Sequence, residues 1–275
     1  MIGLESDLRE KYVVLQKLFK DMGSTVVAFS GGIDSTLVLK VAYEALGPHA
    51  KAVTAVSPTF PAIELEAVHQ LSAEIGVPLQ VVETDQLEID AFVKNDEMRC
   101  YHCKTDLYQL LGNIKKDTEA RVIVDGTNVD DLKDDRPGIT AARALGVRSP
   151  LVEAQLGKAE IRALAKALGL SNWDKPAAAC LSSRIPRGTL ITRVGLSRVE
   201  QAEALLFREG VKQVRVRDHE GIARIETSDS EIGLFHDPGR RCRIVREFKR
   251  LGFQFVTVDL EGYRPGSTNT MQSSK

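Results

Sequence analysis

The sequence predicts an α/β protein, a doubly wound parallel sheet followed by a smaller C-terminal α+β domain. Three observations predict it. Short apolar, β-branched runs alternate with helical patterns through the first 170 residues, as strands and crossover helices do in a parallel sheet. Polar turns (SGGIDS, VSPTF and DGTN) follow the carboxyl ends of three of those runs, where such sheets bind ligands. Near residue 190 the order changes to helix, strand, strand, helix, strand.

Residues 5–21 read as an amphipathic helix with Leu8, Val13, Leu15, Leu18 and Phe19 on its apolar side. TVVAF (25–29) reads as a strand buried on both faces, and DSTLVLKVAYEAL (34–46) as a helix stopped by Gly47-Pro48. A strand at 51–57, a helix over 62–75 and a strand at 79–84 follow. A helix is expected over 104–115, a strand in RVIVDGTN (121–128) and a helix over 158–170. The second part begins with a helix at 196–208 and continues through VKQVRVRDH and IARIETS to a helix at 240–251 and QFVTVDL. The expected domains are 1–190 and 191–263, with a polar, aperiodic tail at 264–275 expected to be disordered.

Composition narrows the function class. The chain has 275 residues, 43% hydrophobic and 27% charged, with 37 basic against 38 acidic side chains. That balance gives no broad cationic face for nucleic acid or membrane. The N-terminus is too acidic for a signal peptide, and no run approaches the roughly 18 apolar residues of a membrane span. A cytoplasmic protein is expected. Four cysteines are too few for a disulfide scaffold, so their clustering asks for a chemical reason.

SGGIDST (30–36) lies between a buried strand and a helix. Gly31 and Gly32 let an anion approach the main chain. Ser30, Ser35 and Thr36 supply hydroxyls, and the helix start supplies free N–H groups and partial positive charge. Asp34 would repel a bare anion and makes sense as a contact to Mg²⁺ or as a helix cap. The Lys of a Walker A loop is missing, which argues against transfer of a terminal phosphoryl group. The loop resembles that of the ATP-pyrophosphatase (PP-loop) superfamily of NAD and GMP synthetases and tRNA thiolation enzymes. That resemblance implies an adenine nucleotide alpha hydrolase-like fold and cleavage of ATP between its α and β phosphates. It would also place Ala28, Phe29, Val56 and the turn Gly126, Thr127, Asn128 near the nucleoside.

RCYHCK (99–104) holds Cys100 and Cys103 in a CxxC spacing, and AACLSSR (178–184) holds Cys180. Two thiolates from a CxxC turn need further ligands to complete a zinc or iron–sulfur site, and Cys180 is a natural third. A structural zinc half-site helped by His102 is the plainer alternative. Lys175, Arg184 and Arg187 stand near Cys180 in sequence and would favour its thiolate. Cys242, at helical spacing from Val245 and Phe248, reads as core.

In this order, SGGIDST, RCYHCK, DGTNVDD (125–131), DRPG (135–138) and ACLSSRIPRGT (179–189) resemble the LarE family of ATP-dependent sacrificial sulfur transferases. The similarity spans most of residues 10–260. It implies adenylation of a carboxylate of a pyridinium mononucleotide and its conversion to a thiocarboxylate for the nickel-pincer cofactor. It places Cys180 at the sulfur-donor position, where single-cysteine members give up their own sulfur and become dehydroalanine. Cys100 and Cys103 depart from that pattern. They resemble the three-cysteine branch, in which a 4Fe–4S cluster held by Cys100, Cys103 and Cys180 carries the sulfide to be transferred.

Arg215 and Arg217, two apart on a strand, are expected to clamp the substrate's phosphate, with Glu203 and Glu231 nearby by the same resemblance. The alternative for the pair is a solvated basic strand face. The aspartates at 130, 131, 134 and 135 hold Mg²⁺ or form a soluble loop. Expected partners are ATP, Mg²⁺ and the small mononucleotide, without nucleic acid or membrane, in a homo-oligomer by family resemblance. The rival readings are a tRNA thiolase and a nucleotide-binding regulator that never turns over ATP.

Overall fold

The computed structural model describes residues 5–133, 137–176 and 179–264. The chain divides into two compact units, residues 1–85 with 100–178, and residues 86–99 with 179–275. In chain order the elements are helix α1 (Ser6–Met22), strand β1 (Thr25–Ala28), α2 (Ile33–Leu46), β2 (Ala50–Val56), α3 (Ala62–Ile75) and β3 (Leu79–Glu83). Then come α4 (Asp90–Val93), α5 (Arg99–Asp117), β4 (Val122–Val124), α6 (Pro137–Ala144), α7 (Pro150–Glu153) and α8 (Lys158–Ala167). The last are α9 (Arg193–Arg208), β5 (Val214–His219), β6 (Ile222–Thr227), α10 (Asp229–Ile232), α11 (Pro238–Arg250) and β7 (Phe255–Val258).

The first unit is built on a four-stranded parallel sheet in the order β3-β2-β1-β4, as the alternation of strands and helices predicts. Successive strand residues point to opposite faces, so one strand feeds two cores. Val27, Ala52 and Val124 join α1, α2, α3, α7 and α8 on one face. Val26, Val53 and Ile123 join Tyr108, Leu111 and Ile114 of α5 and Ala142 of α6 on the other. The inward face of α1 differs from expectation. It runs Leu8, Tyr12, Leu15, Phe19, Met22, at spacings of four and three, and leaves Val13 exposed. Tyr12 supplies the apolar ring at the position that completes the stripe.

The second unit has a three-stranded sheet, β5-β6-β7. β5 and β6 form an antiparallel hairpin whose turn residues, Glu220 and Gly221, both have positive φ. β7 joins β6 in parallel, after a crossover through α10 and α11. α9 packs on β5, and α11 on α9 and β7. Ile244 and Phe248 form the buried face of α11. Cys242 is exposed, against the expectation that it is core. At 100° per residue it lies about 160° around the helix from Ile244, on the solvent side. Among the described residues, no helix is long and apolar enough to cross a membrane.

Candidate active site

β1, β2 and β3 step outward in one direction and β4 returns on the other side of β1, so the strand order switches between β1 and β4. Crevices for ligands form at that kind of switch, beyond the strands' carboxyl ends. Here the loop after β1 meets the turn after β4. A Cβ added to Gly126 would fall 2.8 Å from the Ser35 amide nitrogen and 3.1 Å from the Asp34 carbonyl carbon. Only glycine allows that approach. Gly31 is constrained twice, by its φ of +71° and by Val68, whose Cγ2 would lie 2.8 Å from an added Cβ.

The loop hydroxyls are already aligned. Ser35 Oγ sits 3.1 Å from Ser30 Oγ and donates to the Gly32 carbonyl at 3.0 Å, while the Ser30 amide donates back to Ser35 Oγ at 3.2 Å. Thr36 Oγ1 also donates to the Gly32 carbonyl, at 2.9 Å. Gly32 is the N-cap of α2, so Asp34 is not the cap. Its carboxylate instead receives Lys158 Nζ at 2.5 Å and Asn128 Nδ2 at 3.3 Å. Asn172 Nδ2 donates to Thr36 Oγ1 and the Gly31 carbonyl, and Lys175 Nζ to Glu64 and the Gly31 carbonyl. The Phe29 side chain is buried in the core, and its carbonyl accepts from Thr54 Oγ1 at 2.6 Å. Ala28 and Val56 are half-buried at the ends of β1 and β2.

The turn after β4 is organised by Asp125, which no sequence motif singled out as a site residue. Its buried carboxylate accepts from Tyr108 Oη (3.0 Å), Ser149 Oγ (2.8 Å) and both the amide and hydroxyl of Thr127. Burial, then the Asp125 charge and hydrogen bond, push the Tyr108 hydroxyl well above its ordinary pKa; Cys103 adds to the shift. Asn128 closes the turn by accepting from the Asp130 and Asp131 amides. Asp130 bonds Lys133 and the Lys158 amide, and Asp131 accepts from the Asn128 amide, so both serve the loop itself. Lys133 first and then Lys158 hold the Asp130 carboxyl below its ordinary pKa. Asp134 and Asp135 lie outside the described residues.

Cys100 and Cys103 stand in the first turns of α5, half-buried, where the sequence pointed to a turn. Three residues apart, they share one helix face. Gly138 of α6 packs there, since a Cβ on it would lie 3.0 Å from Lys104 Cγ and 3.6 Å from the Cys100 carbonyl oxygen. Cys180 is exposed and precedes a short 3₁₀ turn, Leu181–Arg184. Among the described residues, no three His, Cys, Asp or Glu side chains form a group that could hold a metal ion. The cations expected near Cys180 have other partners. Lys175 bonds Glu64, Arg187 bonds the Asp96 carbonyl, and Arg184 forms a bidentate pair with Glu203 at 2.8 Å on both arms. Arg184 also donates to the carbonyls of Ala179 and Cys180. Burial works against the Arg184 charge, but the Glu203 hydrogen bond and charge outweigh it and raise its pKa.

Arg215 and Arg217 do share one face of β5, while Val214 and Val216 fill the other. Arg217 bonds Glu226 at 2.7 Å and the Ser183 carbonyl at 2.8 Å. Arg215 lies 5.3 Å from the Tyr263 ring centroid, and burial, reinforced by Arg184, lowers its pKa. Glu203 joins Arg184 to the Val216 amide, and Glu231 accepts from the Lys212 and Gln213 amides and the hydroxyls of Thr227 and Ser228.

No family model matches the chain. Over 266 residues it is 40% identical to the pyridinium-3,5-bisthiocarboxylic acid mononucleotide synthase of Lactiplantibacillus plantarum, a match that covers 95% of each chain. It is 44% identical over 262 residues to an uncharacterized protein of Synechocystis sp., across 95% of this chain and 98% of that one. A shorter match, 26% over 170 residues, joins it to a component of the glutamine-hydrolyzing GMP synthase of Methanopyrus kandleri, over 57% of this chain and 54% of that one. The fold is PP-loop ATPase-like, and with 40% identity running nearly end to end, the chain belongs to the pyridinium-3,5-bisthiocarboxylic acid mononucleotide synthase (LarE) family.

Proposed function

We propose that this chain is an ATP-dependent sulfur transferase that adenylates a carboxylate of pyridinium-3,5-biscarboxylic acid mononucleotide and converts it to a thiocarboxylate. The observation that carries the reading is the end-to-end identity to the synthase. The meeting of the Ser30–Thr36 loop with the Gly126–Asn128 turn supports the ATP chemistry.

A carboxylate resists sulfur attack because oxide is a poor leaving group. In the proposed reaction its oxygen attacks the α-phosphorus of ATP and the bond to the β-phosphate breaks. Pyrophosphate leaves, its charge met by the free N–H groups at the start of α2 and by the loop hydroxyls. Asp34 is the residue that would hold Mg²⁺, with Lys158 beside it. Sulfur then bonds to the activated carbonyl carbon, the C–O bond to AMP breaks, and AMP carries off the electron pair. Where that sulfur is Cys180's own, loss of the Cys180 Cα proton breaks its Cβ–Sγ bond and leaves dehydroalanine beside the thiocarboxylate. Arg215 and Arg217 orient the substrate through its phosphate. A guanidinium desolvated beside other arginines is relieved by an arriving anion, which fits the lowered pKa of Arg215. Glu203 and Glu231 brace that strand through Val216, Lys212 and Gln213.

The sulfur comes from Cys180, whose exposure suits an attacking group, or from a cluster-bound sulfide held there. Cys100, Cys103 and Cys180 are also the residues that would hold a 4Fe–4S cluster. None is in a disulfide, and soft thiolates suit iron–sulfur or, as the alternative, zinc. When bound, that cluster would supply the sulfide that is transferred.

The test is anaerobic turnover with ATP, Mg²⁺ and the biscarboxylic mononucleotide. Cys180→Ala should still release pyrophosphate and make no thiocarboxylate. Sulfur transfer by Cys180→Ala at the wild-type rate would remove Cys180 from the reaction. Protein purified without oxygen should carry about four irons per chain; active, colourless protein with one zinc would exclude the cluster.

A further inference from the structure

The segment that carries Cys180 is short and irregular, yet its main chain is held carbonyl by carbonyl. Much of that hold comes from residues nearly ninety positions earlier. Asn95 follows α4, is fully buried and has φ +56°, a left-handed conformation that asparagine tolerates better than most residues. Its side-chain amide donates to the carbonyls of Pro186 (2.7 Å), Thr189 (2.9 Å) and Ile185 (3.4 Å). Its own carbonyl accepts from the Gly188 amide at 3.1 Å. Asn95 Oδ1 accepts from Arg99 Nη1 at 2.7 Å, and the same nitrogen donates to the Ser182 carbonyl at 3.0 Å. Arg99 and Ser182 are both buried.

Cys180 itself is exposed, so the packing of its side chain cannot orient it. Its direction is set by the main chain that follows, the 3₁₀ turn Leu181–Arg184 and the loop that turns at Arg187–Gly188 and runs on to Ile191. Asn95 and Arg99 bind that main chain at four carbonyls. A loop meant only to connect two elements would leave those carbonyls to water. An asparagine amide is suited to this place. It offers two hydrogens to the Pro186–Thr189 side and an oxygen to Arg99, from a backbone conformation that a branched residue would resist.

We infer that Asn95 and Arg99 are positioning residues, a clamp that fixes the direction from which Cys180 meets the activated carbonyl. This rests on Cys180 delivering the sulfur. The clamp touches neither substrate nor sulfur and acts through the 182–189 main chain.

The test uses the full-length protein with Asn95→Gly, Arg99→Met and Arg99→Lys. Glycine keeps the left-handed backbone and removes only the amide. Lysine keeps donors for Asn95 and Ser182, and methionine keeps neither. Two readouts are taken: the iodoacetamide alkylation rate of Cys180, mapped by peptide mass spectrometry, and single-turnover thiocarboxylate formation alongside pyrophosphate release. Asn95→Gly and Arg99→Met should raise the alkylation rate and slow sulfur transfer about 10²-fold, the scale of a misplacement near 1 Å. Pyrophosphate release and the KM for the mononucleotide should stay as in wild type, and Arg99→Lys should recover most of the transfer rate. Unchanged alkylation in both Asn95→Gly and Arg99→Met overturns the clamp. So does a parallel loss of pyrophosphate release and transfer, which would mark general unfolding. Should Cys180→Ala transfer sulfur normally, the donor assignment falls, while the alkylation readout still decides whether the clamp sets the exposure of Cys180.

Discussion

The loop after β1 and the loop around Cys180 are both short and irregular, but they are held in opposite ways. Ser30–Thr36 takes much of its shape from within, with Asn172 and Lys175 bracing the Gly31 carbonyl from outside. Its hydroxyls bond its own carbonyls and amides, Gly31 takes the close approach to Val68, and α2 begins directly behind it. The 179–191 segment is shaped mostly from outside, by side chains of Asn95, Arg99 and Arg217 that each reach one or more of its carbonyls, with Arg184 adding bonds from within to Ala179 and Cys180. The difference teaches where each can be damaged. An inward-bonded loop is sensitive to changes in its own backbone, whereas an outward-held one is sensitive to remote side chains.

The largest effect that would sharpen this comparison is expected at the buried pair. Arg184→Met should cost about 3–5 kcal/mol, because it leaves the Glu203 carboxylate buried and short of a cation. Adding Glu203→Met should recover a large part of that loss in denaturant unfolding. Equal destabilisation by the single and double variants would show that the pair's value lies in the carbonyls Arg184 holds, not in the charges.

Next in size is the inward-bonded loop. Gly126→Ala places a methyl 2.8 Å from the Ser35 amide nitrogen, against backbone that cannot swing aside. Pyrophosphate release should fall about 10²-fold, with a stability loss of about 1–3 kcal/mol. Wild-type turnover in Gly126→Ala would break the picture of a rigid junction between the two turns.

The smallest effect is a pH slope in the second unit. His219 is on the same β5 face as Arg215 and Arg217; burial first, then Arg224, holds its pKa below the usual 6.5. The unfolded chain therefore binds the proton more readily, and stability is lost as pH falls from about 6.5 towards the folded value. Urea midpoints should drop over that range in wild type and drop less in His219→Gln. Matching slopes would remove His219 as their cause.

Features written in adjacent residues were legible in the sequence. SGGIDST lies between a β-branched run and a helix, so its place at the end of β1 followed from pattern alone. The four strands of the first sheet followed likewise, β1 and β4 as short β-branched runs with mostly buried residues, and β2 and the largely exposed edge strand β3 as β-branched runs between helical patterns. What depends on tertiary neighbours did not show. Asp125 is one acid in a polar turn until Tyr108, Ser149 and Thr127 converge on it. Lys158 is an ordinary helix-start lysine until α8 brings it to Asp34. Cys242 misled because a spacing of three to Val245 fits a helix face without saying which face is covered. Nothing local marks Asn95, whose partners lie about ninety residues downstream.

Residues 86–99 fold with 179–264, although the whole run from Cys100 to Ala178 intervenes. During synthesis, Asn95 leaves the ribosome long before Pro186 and Thr189 exist, so its buried amide must wait in water for acceptors not yet translated. A gene fragment starting at residue 179 or 191 would encode every strand of the second sheet and still lack Asn95 and Arg99. No single cut in the reading frame can part the two units.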